Sequence, residues 1–151
     1  MTRINCVPVT ELCDQHLLAE FRELTRVPNQ VLTGKLKVDY PDKPPFYTMG
    51  KGHVKFFVEK GGYLHRRYLQ LTSECRRRGF NITPIFPMAS GLVAKQAYKD
   101  WEPDSAALNL NRQRICLRMP TVARWTNTAE LPDMYKINPV TKEWSFRLVS
   151  C

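Results

Sequence analysis

The sequence lacks two features that would place the protein in a membrane or an oxidising compartment. No run of about 18 apolar residues is present, which predicts that no helix spans a bilayer. There is no C-x-x-C pair, the five cysteines are odd in number, and no cleavable signal pattern follows Met1. Free thiols in a reducing compartment are therefore expected, and with them a soluble, intracellular, cytoplasmic protein.

Cofactor-binding patterns and repeats are also missing. No glycine-rich loop is typical of a nucleotide cradle, and no His, Cys and Asp spacing is typical of a metal site. The chain has no repeat, no low-complexity tract and no strand run with clear alternation. These absences predict an all-α protein that works without a cofactor, and the length of 151 residues favours one domain.

Acidic residues are scarce relative to basic ones. Lysine and arginine number 23 against 14 acids, which gives a net charge of +9. Such an excess suggests a polyanionic partner, of which nucleic acid is the commonest. A basic soluble protein without a nucleic-acid partner is the alternative. The hydrophobic fraction of 43% argues for a folded globule in either case.

Apolar periodicity predicts a compact single domain of about three main helices joined by long loops. The first helix is expected to start at Thr10 as N-cap, to carry one apolar stripe and to stop at Pro28. The second covers roughly 51–78, kinked or split at Gly61-Gly62. The third runs from Asp104 or Ser105 to Met119. Two stretches are expected to be loops or irregular, 27–50 and 80–103.

The first helix also has a polar face. At about 100° per residue this face gathers a set of mostly polar residues, with His16 at its margin: Gln15, Ala19, Arg22, Glu23 and Arg26. The small Ala19 leaves a low spot where a partner can approach closely. Glu20 falls toward the apolar side and is interpreted as a partly buried ion-pair partner.

The N-terminus supplies a candidate nucleophile. The small Thr2 side chain permits removal of Met1, which exposes an α-amine of ordinary pKa about 7.7–8.0. The neighbouring Arg3 would lower that pKa further. A carboxylate beside phosphates is repelled, so Glu23 between Arg22 and Arg26 suggests a catalytic role. The alternative is a surface ion pair of Glu23 with either arginine.

Other candidate residues have two interpretations each. His16 could contact phosphate or support catalysis, and both His16 and His53 could instead be structural. Arg114 and Arg118 lie one helical turn apart with Arg112 nearby, and form a second candidate phosphate clamp. Trp125 could stack on a base or be a packed aromatic.

Four segments carry a resemblance to a known family: Met1-Thr2-Arg3-Ile4-Asn5, the helical stretch 11–27, Gly50-Lys51-Gly52-His53-Val54-Lys55-Phe56-Phe57 and Cys75-Arg76-Arg77-Arg78-Gly79-Phe80-Asn81-Ile82. With a looser match around 101–125, the sequence resembles the pyrimidine-dimer DNA glycosylase/AP lyases of T4-like phages, the T4 endonuclease V family. A phage-encoded member would act in the host cytoplasm.

The resemblance implies a mostly helical domain and recognition of cyclobutane pyrimidine dimers in ultraviolet-damaged duplex DNA. It implies that the Thr2 amine attacks C1′ of the 5′ nucleotide to form an imine, and that Glu23 stabilises this intermediate and supports β-elimination. Arg3, Arg22 and Arg26 would hold phosphates, and Gln15 and His16 would line the same surface. Arg114 and Arg118 match a helix with basic phosphate contacts, and Trp125 remains from an aromatic-rich segment.

We therefore predict a glycosylase with coupled AP lyase activity in residues 1–132, and a C-terminal extension of unknown role in residues 133–151. The extension could be a small packed addition or a frayed tail. The enzyme is expected to need no cofactor, to act on DNA and to be a monomer. Two alternatives remain: an enzyme for abasic sites or other base lesions, and a non-catalytic basic DNA-binding relative.

Overall fold

The computed structural model describes residues 3–127 and 133–148, in which six α-helices and one β-hairpin surround an apolar core. The helices are α1 (Asp14–Glu23), α2 (Arg26–Thr33), α3 (His53–Phe57), α4 (Gly61–Arg77), α5 (Ala89–Ala94) and α6 (Ser105–Leu117). Strands β1 (Tyr135–Ile137) and β2 (Trp144–Phe146) pair antiparallel. The predicted all-α class is confirmed, since the hairpin is the whole sheet content of these ranges. Within them no helix is long and apolar enough to cross a membrane.

The boundaries of the first helix differ from the prediction. Val9–Glu11 form a 3-10 turn, and α1 begins at Asp14 rather than after Thr10. The chain turns there because the Asp14 N–H donates to the carbonyl of Arg124, and the Asp14 carboxylate accepts from Arg78 at 3.0 Å. The expected apolar stripe is confirmed, and all four of its members are buried: Cys13, Leu17, Phe21 and Leu24.

The prediction that Pro28 stops the helix was wrong. The chain breaks earlier, after Glu23, and Pro28 lies in the first turn of α2. A proline costs little there, because the first N–H groups of a helix have no intrahelical acceptor. The segment 27–50 is therefore helical in its first part, and α2 ends at Gly34 in the left-handed conformation.

The split at Gly61-Gly62 is confirmed, and its cause is a close backbone approach. A β-carbon on Gly61 would lie 2.3 Å from the Ala97 carbonyl oxygen, and one on Gly62 would lie 2.8 Å from that of Tyr98. The Gly61 N–H donates to the same Ala97 oxygen at 2.8 Å. Glycine thus lets the segment before α6 pack directly on the start of α4.

The third predicted helix is confirmed as α6, with Asp104 capping it by accepting from the Ala107 N–H at 2.8 Å. Two elements were not predicted: α5 inside the segment expected to be irregular, and the hairpin within residues 133–148. The hairpin packs on the body, because β2 contacts α6 and Tyr135 is buried. Of the two alternatives for the extension, a small packed addition and a frayed tail, the described residues 133–148 form the packed one. The division into two functional regions stays a prediction.

Two buried ion pairs fix α1 against α4. Glu20 of α1 meets Arg67 of α4 at 2.8 Å, with both side chains almost wholly buried. At the other end of α1, Asp14 meets Arg78, which also pairs with Glu74 at 2.9 Å. Removing one partner of such a pair leaves an uncompensated buried charge and costs about 3–5 kcal/mol. The orientation of α1, and of every side chain on it, is therefore held firmly.

Candidate active site

The N-terminal segment runs through the protein interior without helix or strand structure. Residues 4–7 are buried, and their backbone groups form hydrogen bonds with side chains from three other parts of the chain. The Ile4 N–H donates to His53 Nε2 at 2.8 Å, and the Ile4 carbonyl accepts from the Tyr47 hydroxyl at 2.9 Å. The Asn5 carbonyl accepts from the Tyr63 hydroxyl at 3.1 Å. The segment is thus fixed on both sides.

Two asparagines extend this anchoring to α1 and α6. Asn5 Nδ2 donates to Glu20 at 2.8 Å, and Asn111 Nδ2 donates to Asn5 Oδ1 at 2.8 Å. Asn111 Oδ1 accepts from the backbone N–H groups of Cys6 and Val7 at 2.7 and 3.1 Å. Asn111 is fully buried, so these bonds form away from water, where an unmade bond costs most.

A cavity of about 260 Å³ opens where this segment meets the polar face of α1. It is lined by seven residues from the N-terminal segment, from α1 and from the end of α6: Arg3, Asn5, His16, Ala19, Glu20, Glu23 and Arg118. The predicted low spot at Ala19 is therefore part of a real concavity. Four of the predicted site residues meet here, namely Arg3, His16, Glu23 and Arg118.

Glu23 is a carboxylate of the cavity without an ion-pair partner in residues 3–127 and 133–148. The surface ion pair with Arg22 or Arg26, which the sequence left open, is not formed. Glu20, one turn earlier, is saturated by Arg67 and Asn5, which confirms its predicted structural role. The cavity thus presents one free acid beside one fully engaged acid.

Three arginines lie close enough to one another at the cavity for their charges to interact. Burial lowers the pKa of Arg3, and the charges of Arg114 and Arg118 lower it further, while Tyr47 and Glu23 oppose them. Arg114 of α6, Arg118 just after α6 and the N-terminal Arg3 therefore share one region of space. A cluster of this kind attracts phosphate and disfavours any further cation, including a protonated amine.

His16 lies in the wall of the cavity and is bound to the end of α6. Its Nε2 donates to the Arg118 carbonyl at 3.0 Å, and its buried Nδ1 has no partner among the described residues. Burial lowers the pKa of His16, and Arg3 adds to this, so the ring is neutral at pH 7. The position fits both interpretations of His16, since the ring is anchored and also faces the cavity.

The remaining polar-face residues lie outside the cavity. Gln15 binds the segment after α6: its Nε2 donates to the Val122 carbonyl at 2.7 Å, and its Oε1 accepts from the Arg124 N–H. Arg22 and Arg26 are exposed, and neither forms an ion pair within the described ranges. Arg22 lies near the end of α1, whereas Arg26 begins α2 and so leaves the helix on whose polar face it was predicted. Both cations are available for phosphates, whereas Gln15 is occupied in the structure.

Two residues from the far part of the chain prove to be packed. Trp125 is 9% exposed, its Nε1 donates to the Glu11 carbonyl at 3.0 Å, and its ring lies 5.9 Å from that of Trp144. The packed interpretation describes this geometry, and DNA stacking by Trp125 stays a prediction. Arg112 is buried and paired with Glu11 at 2.6 Å, so it is not free for the clamp of Arg114 and Arg118.

The residues that sequence reasoning missed are the anchors of the N-terminal segment, chiefly Tyr47, Tyr63 and Asn111. Each of these polar residues contacts a part of the chain that is distant in sequence, so no local sequence pattern identifies it. The Thr2 prediction lies outside the described residues. Among those described, no three His, Cys, Asp or Glu side chains group together as metal ligands would.

The fold and cavity define a class: a mostly helical protein in which Arg3, near the start of the chain, shares a cavity with the carboxylate of Glu23 and with Arg118. The sequence profile of the pyrimidine dimer DNA glycosylase family matches residues 1–88, more than half of the chain. The chain belongs to this family, which confirms the predicted resemblance and assigns DNA repair by a glycosylase, with DNA as substrate. The match contains Arg3, His16 and Glu23, while Arg114, Arg118 and Trp125 lie beyond it.

Proposed function

We propose that this glycosylase cleaves the N-glycosidic bond of the 5′ pyrimidine of cyclobutane dimers in ultraviolet-damaged duplex DNA, and then nicks the strand as an AP lyase. The nucleophile is the α-amine of Thr2 after removal of Met1. The observation that supports this most is the shared cavity of Arg3 and Glu23. Thr2 is bonded to Arg3, a residue of that cavity, and this supports assigning the amine to the same site.

The cavity suits each step of the chemistry. The neutral amine bonds to C1′, the glycosidic bond breaks, and the base leaves with the bonding electrons. Opening of the sugar ring gives an imine that carries positive charge, which the unpaired carboxylate of Glu23 stabilises. Loss of a C2′ proton then expels the 3′ phosphate, and water releases the amine. Glu23 is the unpaired carboxylate of the cavity, and we assign the proton transfers to it.

The surrounding arginines suit a phosphate backbone. Arg3 and Arg118 line the cavity, and the charge of Arg114 acts on Arg3. Arg22 and Arg26 flank Glu23 in the sequence and are exposed, without acidic partners in the described ranges. We assign these five to phosphates, with His16 in the wall next to them. Phosphate contacts of this kind fix the register of a protein on DNA without reading its sequence.

The packing of Trp125 favours a second candidate, an AP lyase for abasic sites. The ring that was the candidate for stacking on a lesion is buried and hydrogen-bonded, which leaves the lyase chemistry intact and removes one means of recognising a dimer. The remaining alternative, a non-catalytic DNA-binding relative, does not account for an unpaired glutamate among arginines.

Borohydride trapping on matched duplexes tests the proposal. We expect a covalent protein–DNA adduct and strand cleavage on a duplex with one thymine dimer, and none on the undamaged duplex. An adduct on an abasic duplex alone would establish the second candidate. No adduct on either damaged duplex would contradict both and leave a DNA-binding protein without lyase chemistry.

A further inference from the structure

The motif Gly50-Lys51-Gly52-His53 is a turn built to place one buried imidazole. Gly50 and Gly52 have φ angles of 71° and 90°, in the left-handed region that side chains disfavour. The His53 N–H donates to the Gly50 carbonyl at 3.1 Å, and α3 begins at His53 itself. A β-carbon on Gly52 would also lie 3.2 Å from the Pro44 ring. The turn therefore fixes the position of His53 closely.

The ring of His53 is 3% exposed and fully hydrogen-bonded. One nitrogen, Nδ1, lies 2.7 Å from the Thr48 carbonyl, and the other, Nε2, lies 2.8 Å from the Ile4 backbone nitrogen. A carbonyl can only accept and a backbone N–H can only donate, so the two contacts together assign the proton to Nδ1. His53 is therefore a neutral acceptor for Ile4.

This acceptor holds the peptide that precedes Ile4 and carries Arg3 of the cavity. The Ile4 nitrogen belongs to the peptide bond that joins Arg3 to Ile4, and Arg3 lines the cavity together with Glu23. The other polar group of Ile4, its carbonyl, accepts from the Tyr47 hydroxyl, and the Tyr47 ring packs edge-on against His53 at 5.6 Å. Two buried rings thus set the direction of the segment that precedes Ile4.

We propose that His53 is a positioning residue for the reaction: as a neutral hydrogen-bond acceptor it holds the peptide between Arg3 and Ile4, which connects the proposed nucleophile to the fold, and its protonation withdraws that anchor. The inference rests on the function proposed above. A protonated ring would present an Nε2–H to the Ile4 N–H, so two donors would face each other. The N-terminal segment would then lose its first anchor, although the ring itself touches no DNA.

The groups around His53 agree with a neutral ring at pH 7. Burial lowers the pKa of His53 below its ordinary value, and the cations Arg3 and Arg114 lower it further. The Thr48 carbonyl and Glu20 act in the opposite direction. Anchoring is therefore complete above about pH 6.5, the value of a free histidine, and is lost as the pH falls through the lowered pKa in the fold.

Two substitutions separate positioning from simple stability. His53→Gln places an amide oxygen near the position of Nε2, so it keeps an acceptor that does not titrate. His53→Leu has a similar volume and no acceptor. At pH 7.5 and saturating duplex, we expect the rate of borohydride-trapped imine formation to fall less than about 3-fold for His53→Gln. For His53→Leu it should fall at least 10-fold, since a displacement of about 1 Å can cost 100-fold. The dissociation constant for the duplex should stay unchanged in both.

The pH profile of the same rate gives the second readout. Protonation of the amine itself makes log rate fall with slope 1 below its pKa, and protonation of His53 should add a further fall in the wild type below pH 6.5. His53→Gln should lack that added fall, and His16 is present in both proteins, so its titration does not distinguish them. This comparison does not need the leucine variant to fold.

The outcomes separate this inference from the proposed function. Trapping by the wild type with identical pH profiles for wild type and His53→Gln would overturn the positioning role and leave the lyase chemistry standing. A folded His53→Leu protein that traps at the wild-type rate would do the same. No adduct with the wild type would overturn the proposed function, and the inference with it.

Discussion

Two glutamates one turn apart on α1 have opposite environments. Glu20 is 2% exposed, pairs with Arg67 at 2.8 Å and accepts from Asn5. Glu23 lines the cavity and has no ion pair in the described parts of the chain. The carboxylate of Glu20 therefore holds two helices together, whereas that of Glu23 is available for chemistry. The comparison shows that the number of partners, rather than the residue type, separates a structural acid from a candidate catalytic one.

The largest effect should come from Glu23→Gln. This change keeps the shape of the side chain and removes its charge and basicity, so strand cleavage in a single turnover should fall by about 10²–10⁴-fold. Duplex binding should be retained, because removing a negative charge does not weaken phosphate contacts. Cleavage at the wild-type rate would remove Glu23 from the mechanism.

The matched change at the other glutamate should act on stability. Glu20→Gln leaves the buried Arg67 guanidinium without a full counter-charge, and we expect the free energy of unfolding to fall by about 3–5 kcal/mol. Denaturant unfolding measures this directly. Glu23→Gln is the control and should shift the same free energy by less than about 0.5 kcal/mol. If the free energy of unfolding fell equally in both variants, Glu20 and Glu23 would not differ in their structural role.

A smaller effect is expected from the arginines of the cavity. Arg118→Gln should weaken duplex binding and reduce the slope of log affinity against log salt by about 1 if the side chain neutralises one phosphate. Arg66→Gln is a control with the same loss of charge, because Arg66 is already paired with Asp100 at 2.9 Å and Glu102 at 3.2 Å. Identical salt slopes for both variants would place Arg118 away from DNA.

The smallest effect should follow from Trp125→Phe. It removes the hydrogen bond from Nε1 to the Glu11 carbonyl and keeps an aromatic ring in the packing, so unfolding should become easier by about 1 kcal/mol. The affinity for a dimer-containing duplex should not change, as a titration of labelled duplex would show. Lost affinity at unchanged stability would assign the ring to DNA instead.

The sequence predicted most of the helical framework because its signals are local. The apolar stripe of α1, the glycine pair at the start of α4 and the Asp104 cap of α6 all depend on neighbours within a few residues. The error at Pro28 has the same origin. Proline occurs both after the end of a helix and in the first turn of one, and the local sequence does not distinguish these two positions. The missed β1 and β2 are three residues each and depend on packing against α6.

The sequence predicted residues that line the cavity and not the residues that support them. Arg3, His16, Glu23 and Arg118 share one cavity, and their roles in catalysis and DNA binding stay predictions. Two of the four lie on α1, where helical spacing indicated a shared face. Asn111 and Tyr47 could not be predicted, since their partners lie 105 and 43 residues away in the chain. Arg112 was misjudged for a similar reason: its acid, Glu11, is brought to it only by the fold.

The most direct test of the central claim is to identify the residue that carries the trapped adduct. Peptide mapping should place it on Thr2 for the wild type and on the second residue for Thr2→Ser, which keeps a free amine. Thr2→Leu, whose larger side chain prevents removal of Met1, should give no adduct while still binding the duplex. An adduct on a lysine, or full trapping by Thr2→Leu, would contradict the account.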